Sequence, residues 1–412
     1  MNTGYDVIVL GGGPSGATAG ALLAQAGWRV AIIEKAEFPR RKVCGEFISE
    51  TTWPLLRRLE VAGPLMEIAG PVVRRIGIYS GDAMVTAKLV SQTDSIGDGG
   101  RAIGREHLDS LLLKRAAEAG AEVWQPFALT AFVENDSGYV CSILNKRSRE
   151  ERVLSSRLII AAHGSWESGP MPTQDFRRPH RASDLFGFKA HFINSTLPPD
   201  LMPLLAFPGG YGGMVHSDSG RVSLSCCIRR DRLEGCRRQY RHSNAGSAVL
   251  AHVEASCKGV SQVLSSASQD GTWLSSGPLH TGIHTSGRDG IFTVGNAAAE
   301  AHPIVAEGIS MAIQSAFLLS EQLNRWRAGG DPTFSTQALE SIRNEYEIAW
   351  RDNFSRRIRL AALFAHLFMR PVSAHIVTGL LKRFPRLLTE GARWSGKAEP
   401  FRRSYQADAA RP

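Results

Sequence analysis

Tyr5–Leu10 is an apolar run broken only by Asp6 and gives way at once to Gly11-Gly12-Gly13-Pro14-Ser15-Gly16. A short apolar run bounded by a turn predicts a buried strand. Ala17–Ala26 is rich in Ala and Leu and predicts a helix stopped by Gly27. Trp28–Ile33 then predicts a second strand, ending at Glu34. A mixed, loop-rich region runs to about residue 100. Within Gly104–Gly120, Leu108, Leu111, Leu112 and Ala116 recur at helical spacing and lead into a strand at Ala121–Val123. Arg157–Ala162 predicts a short strand ending at His163-Gly164. Phe186–Phe192 and Arg221–Ile228 alternate about a Gly-rich segment, so the region from about Ser183 to Trp273 is expected to be antiparallel. Ile291–Val294 predicts a further strand, and a helix is expected from about Gly308 to Arg327. The remainder reads as helical, interrupted at Pro371 and Pro385. No internal repeat or low-complexity tract is present.

The first turn carries chemistry. Gly11-x-Gly13-x-x-Gly16 lies after a strand and opens a helix. Gly11 permits a tight turn, Gly13 lets the backbone approach a pyrophosphate, and Gly16 allows close helix–strand packing. The free N–H groups of the helix start, from Ser15 on, just past Pro14, face the anion. Glu34 follows Gly16 by 18 residues, at the end of the second strand, where a carboxylate accepts hydrogen bonds from a ribose; Lys35 belongs to the same edge. An acidic residue there favours an unphosphorylated ribose, hence FAD or NAD over a tightly bound NADP. No second glycine fingerprint for a resident nicotinamide follows.

Gly295-Asn296-Ala297-Ala298-Ala299-Glu300-Ala301-His302-Pro303, continuing to Gly308, follows a predicted strand and precedes a helix. This stretch resembles the flavoprotein monooxygenases of the para-hydroxybenzoate hydroxylase type and their relatives the geranylgeranyl reductases, which carry Gly-Asp-Ala-Ala and then a proline here. The resemblance implies FAD, with NAD(P)H as a transient reductant. It puts Asn296 at the position of the ribityl-binding aspartate, Pro303 to Gly308 and Ile309 beside the isoalloxazine, and the helix N-terminus at the flavin N1/O2 edge. Arg105-Glu106-His107-Leu108-Asp109 resembles the family's arginine-led helix, which implies a cofactor contact by Arg105. His163-Gly164 stands where many relatives have Asp-Gly. The fold implied is an α/β FAD-binding domain, Rossmann-like and of glutathione-reductase type, with a mostly antiparallel β substrate domain and a helical C-terminal region. The expected boundaries are 1–75, 101–175 and 274–330 for the FAD domain, 76–100 and 176–273 for the substrate domain, and 331–412 for the basic helical region.

Lys42-Val43-Cys44-Gly45-Glu46 resembles Cys-Gly segments that lie over the flavin in the reductase branch, so Cys44 and Gly45 are candidates at the ring; the alternative is a packed loop cysteine. In Phe207-Pro208-Gly209-Gly210-Tyr211-Gly212-Gly213-Met214, Phe207 and Tyr211 are expected to line an apolar substrate pocket, or the segment is a plain hairpin. The reductases' Tyr-Gly-Trp-type segment lacks its tryptophan here. His302 is a candidate acid or base, or a histidine satisfied by a carbonyl. His191, His216 and His280 have no order among them. The Trp-x-Trp-x-Ile-Pro mark of flavin halogenases is absent, and no metal-ligand spacing such as H-E-x-x-H occurs.

Charge changes the picture only at the end of the chain. Of 412 residues, 48 are Lys or Arg and 39 Asp or Glu, a balance of +9. Residues 351–412 carry 13 basic and 4 acidic side chains, so the whole excess lies there and the first 350 residues balance. That does not describe a nucleic-acid binder, which needs a basic patch on its body. The basic, apolar helices expected in 351–403 either pack on the FAD domain, lie on an anionic membrane, or dock a partner enzyme. No apolar run reaches the roughly 18–20 residues of a spanning helix, and strand residues beginning at Tyr5 leave no room for a leader. Six cysteines without C-x-x-C suggest a reducing, cytoplasmic setting and, except for Cys44, small buried hydrophobes; Cys226 and Cys227 should face opposite sides of a strand. The expectation is an FAD-dependent oxidoreductase. The first reading is a monooxygenase hydroxylating an apolar phenolic or polyketide-like molecule with NAD(P)H and O2. The second is a reductase saturating a C=C bond of an isoprenoid or enone, and the third a non-catalytic flavin- or lipid-binding protein.

Overall fold

The computed structural model describes residues 3–89, 99–165, 168–174, 179–240, 244–284, 290–329 and 334–397. Residues 398–403 of the basic tail lie outside them. Two seven-stranded sheets organise the chain. In the first, Thr3–Leu10 lies between Val30–Ile33 and Glu151–Ala161 with parallel pairing on both sides, and Glu122–Trp124 extends the parallel edge beyond Val30–Ile33. Glu151–Ala161 divides its other edge. Residues 151–156 take the hairpin strand Gly138–Asn145 antiparallel, while 159–161 take Ile291–Thr293 parallel. Parallel central strands are buried on both faces, which is why Val7, Ile8 and Val9 are all fully buried and the run shows no alternation. The helix Pro14–Gln25 packs against both Arg105–Glu118 and Gly308–Ala328.

The second sheet runs Ser268–Ser276, Leu185–Ile193, Val222–Arg229, Gly210–His216, Leu201–Phe207, Arg75–Ser80, Ala83–Lys88. Every neighbouring pair is antiparallel except Leu201–Phe207 with Arg75–Ser80. The strands of Ser183–Trp273 pair antiparallel as expected, and the region also holds three helices that the strand pattern does not announce, Arg230–Tyr240, Ala245–Ser256 and Lys258–Leu264, covering one face. Ala245–Ser256 starts where the Asn244 side chain accepts from the Ser247 N–H at 2.8 Å, a helix cap. Cys226 faces the core beneath these helices and Cys227 the opposite one, as a strand's period requires. Burial pushes the thiols of Cys141, Cys227 and Cys257 up to about 12, which leaves them protonated and inert.

The 33-residue helix Thr336–Phe368 spans both halves. Its first part buries Leu339, Ile342, Tyr346, Trp350, Phe354 and Ile358 in the core of the first sheet. Its last part buries Ala361, Ala365 and Phe368 in a cluster with Ile76, Ile78 and Val85 of the second. Pro371–Arg383 and Arg386–Ala392 follow, broken at the two prolines as expected. Packing of the tail therefore involves both sheets. Trp350→Ala should cost about 3–5 kcal/mol, the usual range for emptying a large buried aromatic site, read as a lower midpoint in denaturant.

Candidate functional site

One deep cleft is lined by the glycine turn, Glu34 and Lys35, the segment from Arg40 to Phe47, Arg105, Tyr211 and its neighbours, and residues from Asn296 to Ala312. Of the residues singled out by sequence, Gly11, Gly13, Pro14, Ser15, Glu34, Lys35, Cys44, Gly45, Arg105, Tyr211, Asn296, His302, Pro303, Gly308 and Ile309 all line it. Gly16 does not, and its reason is packing: a Cβ there would stand 1.8 Å from the Gly11 carbonyl oxygen. Gly11 itself has φ +110° and its missing Cβ would sit 2.5 Å from the Ala162 carbonyl oxygen.

The turn has the features that suit an anion. No side chain caps the helix Pro14–Gln25 at its start. A Cβ added at Gly13 would meet only Arg105 Nη2 at 3.8 Å and Arg40 Nη2 at 4.0 Å, so two guanidiniums face the open side of the glycine. Glu34 is buried at the strand end, with Oε2 accepting from the Gly12 N–H and Oε1 from the Ala36 N–H, both at 2.8 Å. Each oxygen keeps a lone pair for a ribose hydroxyl. The Arg105 guanidinium is buried and clasped by Asp109 at 2.7 and 2.8 Å; Asp109 outweighs the burial and keeps it charged, and Arg105 also touches the Cys44 thiol. The arginine-led helix is thus an i, i+4 pair whose aspartate aims the arginine.

At the other end, the helix Gly308–Ala328 begins uncapped by any side chain, and the space a Cβ would take at Gly308 is empty to 4 Å. The chain reaches it through Ala306 in the left-handed region, φ +53°. Asn296 sits in the turn Gly295–Ala297. A positive helix end, an amide and an open backbone suit an electron-rich ring and a polyol chain.

Two side-chain constellations complete the cleft. The Tyr211 hydroxyl lies 3.0 Å from His302 Nδ1, and His302 Nε2 lies 3.3 Å from Thr281 Oγ1. Burial, with His366 nearby, holds His302 down at about 4, and burial pushes Tyr211 well up. Both are therefore neutral near pH 7. Phe207, expected beside Tyr211, is turned away: it shares with Leu201 and Leu205 the strand face under the helices, while Met202 and Leu204 face the cleft.

The second constellation escaped the sequence reading. Glu46, fully buried with φ +64°, binds Lys189 Nζ through Oε1 and His191 Nε2 through Oε2, the latter at 2.9 Å. Burial alone would raise its carboxyl; the His191 hydrogen bond and the Lys189 charge win and hold it at about 2. The Glu46 N–H also points to Cys44 Sγ at 3.4 Å, so the cluster ties the Cys44-Gly45 loop to the second sheet. A lysine amid the apolar strand Leu185–Ile193 was the available signal. Of the three histidines left unordered, His191 alone joins this cluster; His216 bonds the Leu197 carbonyl at 2.7 Å, and the His280 backbone N–H donates to Glu300. His163 contacts the Gly164 carbonyl and Thr173.

Comparison with known proteins agrees with this geometry. A family model described as FAD binding domain matches residues 4–332. Conditioned medium factor receptor 1 of Dictyostelium discoideum is 24% identical over 94% of this chain and 76% of its own length. Digeranylgeranylglycerophospholipid reductase 2 of Methanopyrus kandleri is 24% identical over 88% and 86%. Among solved structures, the myxobacterial chondrochloren halogenase CndH superposes with a TM-score of 0.76 at 19% identity, covering 95% of this chain and 91% of that one. PqsL of P. aeruginosa, in complex with 2-aminobenzoylacetate, gives 0.70 at 16%, covering 92% and 100%. Identities this low show a shared fold and nothing of the reaction. With the glycine turn, the buried Glu34 carboxylate and the open helix end in one cleft, the chain belongs to the FAD-binding-domain family and is an FAD-dependent oxidoreductase.

Proposed function

We propose that the protein reduces a C=C bond of a lipophilic isoprenoid or enone, with NAD(P)H as the transient source of electrons. The observation carrying this reading is the buried Tyr211–His302 pair in the cleft wall. Saturating a double bond takes a hydride on one carbon and a proton on the other. FAD held by Gly13, Ser15, Arg105, Glu34 and Asn296 would, once reduced by NAD(P)H, supply the hydride. The chain's own share is the proton. Tyr211, protonated over the whole working range, delivers it from its hydroxyl. His302 would refill Tyr211 by giving a proton at Nδ1 while taking one at Nε2 from the half-buried Thr281 hydroxyl, which regains its own from solvent water; a neutral imidazole between two hydroxyls allows this. Met202 and Leu204 make the adjoining wall apolar. The resemblance, over 88% of this chain, to a digeranylgeranylglycerophospholipid reductase supports the same reading.

A second reading, hydroxylation of a phenolic or polyketide-like ring with O2, draws on the same neutral His302, which through Tyr211 can take a phenolic proton. The decisive experiment is NAD(P)H oxidation with a polyprenyl lipid or isoprenoid quinone under argon and under air. Reduction gives turnover under argon and a product heavier by two hydrogens. Turnover confined to air, with oxygen in the product, replaces it with the second reading. Tyr211→Phe should keep flavin and lower turnover about a hundredfold or more, the span of a lost general acid.

A further inference from the structure

The tail helices have two faces. Ala374, Leu381 and Leu388 point inward, in one cluster with Tyr211 and Ile304 of the cleft wall. On the outside, Val372, Ile376 and Leu380 recur every four residues along Pro371–Arg383 and are 74%, 66% and 50% exposed. Phe384, Leu387 and Trp394 continue the apolar strip past the helix end, each close to half exposed. Such protrusion is far beyond a surface helix that merely covers a core. Lys382, Arg383, Arg386 and Arg393 are exposed around the strip, and Glu390, paired with Arg393 at 3.8 Å, is the acidic residue of 371–397.

We infer that this face lies on an anionic lipid surface. Aliphatic side chains in a line with a basic surround match an interface of acyl chains beneath anionic headgroups. The geometry is that of lying on a bilayer, not crossing it. No single helix among the described residues is long and apolar enough to span. Thr336–Phe368 with Pro371–Arg383 passes that test as a pair, but the two are bent by 106°, and Trp350, Phe354 and Ile358 are buried inside the protein. The inner side of these helices packs in one cluster with Tyr211 and Ile304, which line the cleft. The inference stands whichever reaction the cleft performs.

Flotation of the flavin-loaded protein with vesicles of phosphatidylcholine, alone or mixed with phosphatidylglycerol, tests it. Binding is expected with the mixed vesicles, weak with the neutral ones, and reduced by salt. Lys382→Gln with Arg383→Gln should weaken partition about fivefold per charge. Ile376→Glu with Leu380→Glu should abolish it while bound flavin and denaturation midpoint stay unchanged. Folded, flavin-loaded protein that ignores anionic vesicles overturns the inference. So does binding that survives the Ile376 and Leu380 changes. A self-association lost on those changes, without vesicle binding, would assign the strip to a second copy of the chain instead.

Discussion

Gly16→Ala should yield a protein without flavin. The added methyl would stand 1.8 Å from the Gly11 carbonyl oxygen and 3.0 Å from the Ala162 side chain, so the turn must open to admit it. Opening moves the start of Pro14–Gln25 and separates the Gly13 backbone from the two guanidiniums that face it. Flavin absorbance of the purified variant and titration with added FAD are the measurements; affinity should fall by more than a hundredfold. Gly308→Ala is the companion, because a Cβ there meets no protein atom within 4 Å. Its fold should be untouched, and any weakening arises on the ligand's side. Wild-type affinity in Gly16→Ala would mean that this turn is not the pyrophosphate cradle.

The second large effect is at Glu46. Glu46→Gln leaves Lys189 charged and buried without its counter-ion, a loss of about 3–5 kcal/mol when a buried pair is broken from one side. Removing both charges, Glu46→Gln with Lys189→Met, should recover much of it, and failure to recover would show that the pair is not the source. The pair also sets an acid limit. Glu46 is depressed from 4.5 to about 2, so its contribution is fully present above about 4.5 and is lost as pH falls towards 2. His302, lowered from 6.5 to about 4, resists protonation in the folded state, so stability also declines as pH falls from 6.5 to 4. Chemical denaturation across pH should show both segments. Glu46→Gln should flatten the lower and His302→Asn the upper.

Why some of this was legible in the sequence and some not is a matter of distance along the chain. The cradle is a local object: strand, glycine turn, helix and Glu34 all fall within residues 3–34, where periodicity and φ demands write directly into residue types. The flavin-edge turn at 295–308 was reached through family resemblance, and the structure supplies its reason in an uncapped helix start. Glu46 and its partners are 143 and 145 residues apart, and no local pattern joins them. The Arg230–Leu264 helices were missed for another reason. Arg230–Tyr240 buries only Cys236, so it carries almost no apolar stripe, while Asn244 and the alanines after it were a usable cap signal. Phe207 shows the limit of composition: an aromatic beside a glycine cluster suggested a pocket, and strand parity sent it to the other face.

The division of one strand edge has a consequence for how the protein is made. Glu151–Ala161 waits for Ile291–Thr293 to complete its parallel side, and the helix whose open start lines the cleft begins only at Gly308. The cradle at the N-terminus leaves the ribosome some 280 residues before those parts, an interval of about 15–60 s at ordinary synthesis rates. Cofactor capture is therefore a late event of biogenesis, although Thr3–Leu10 already has both of its partner strands once residue 161 is made.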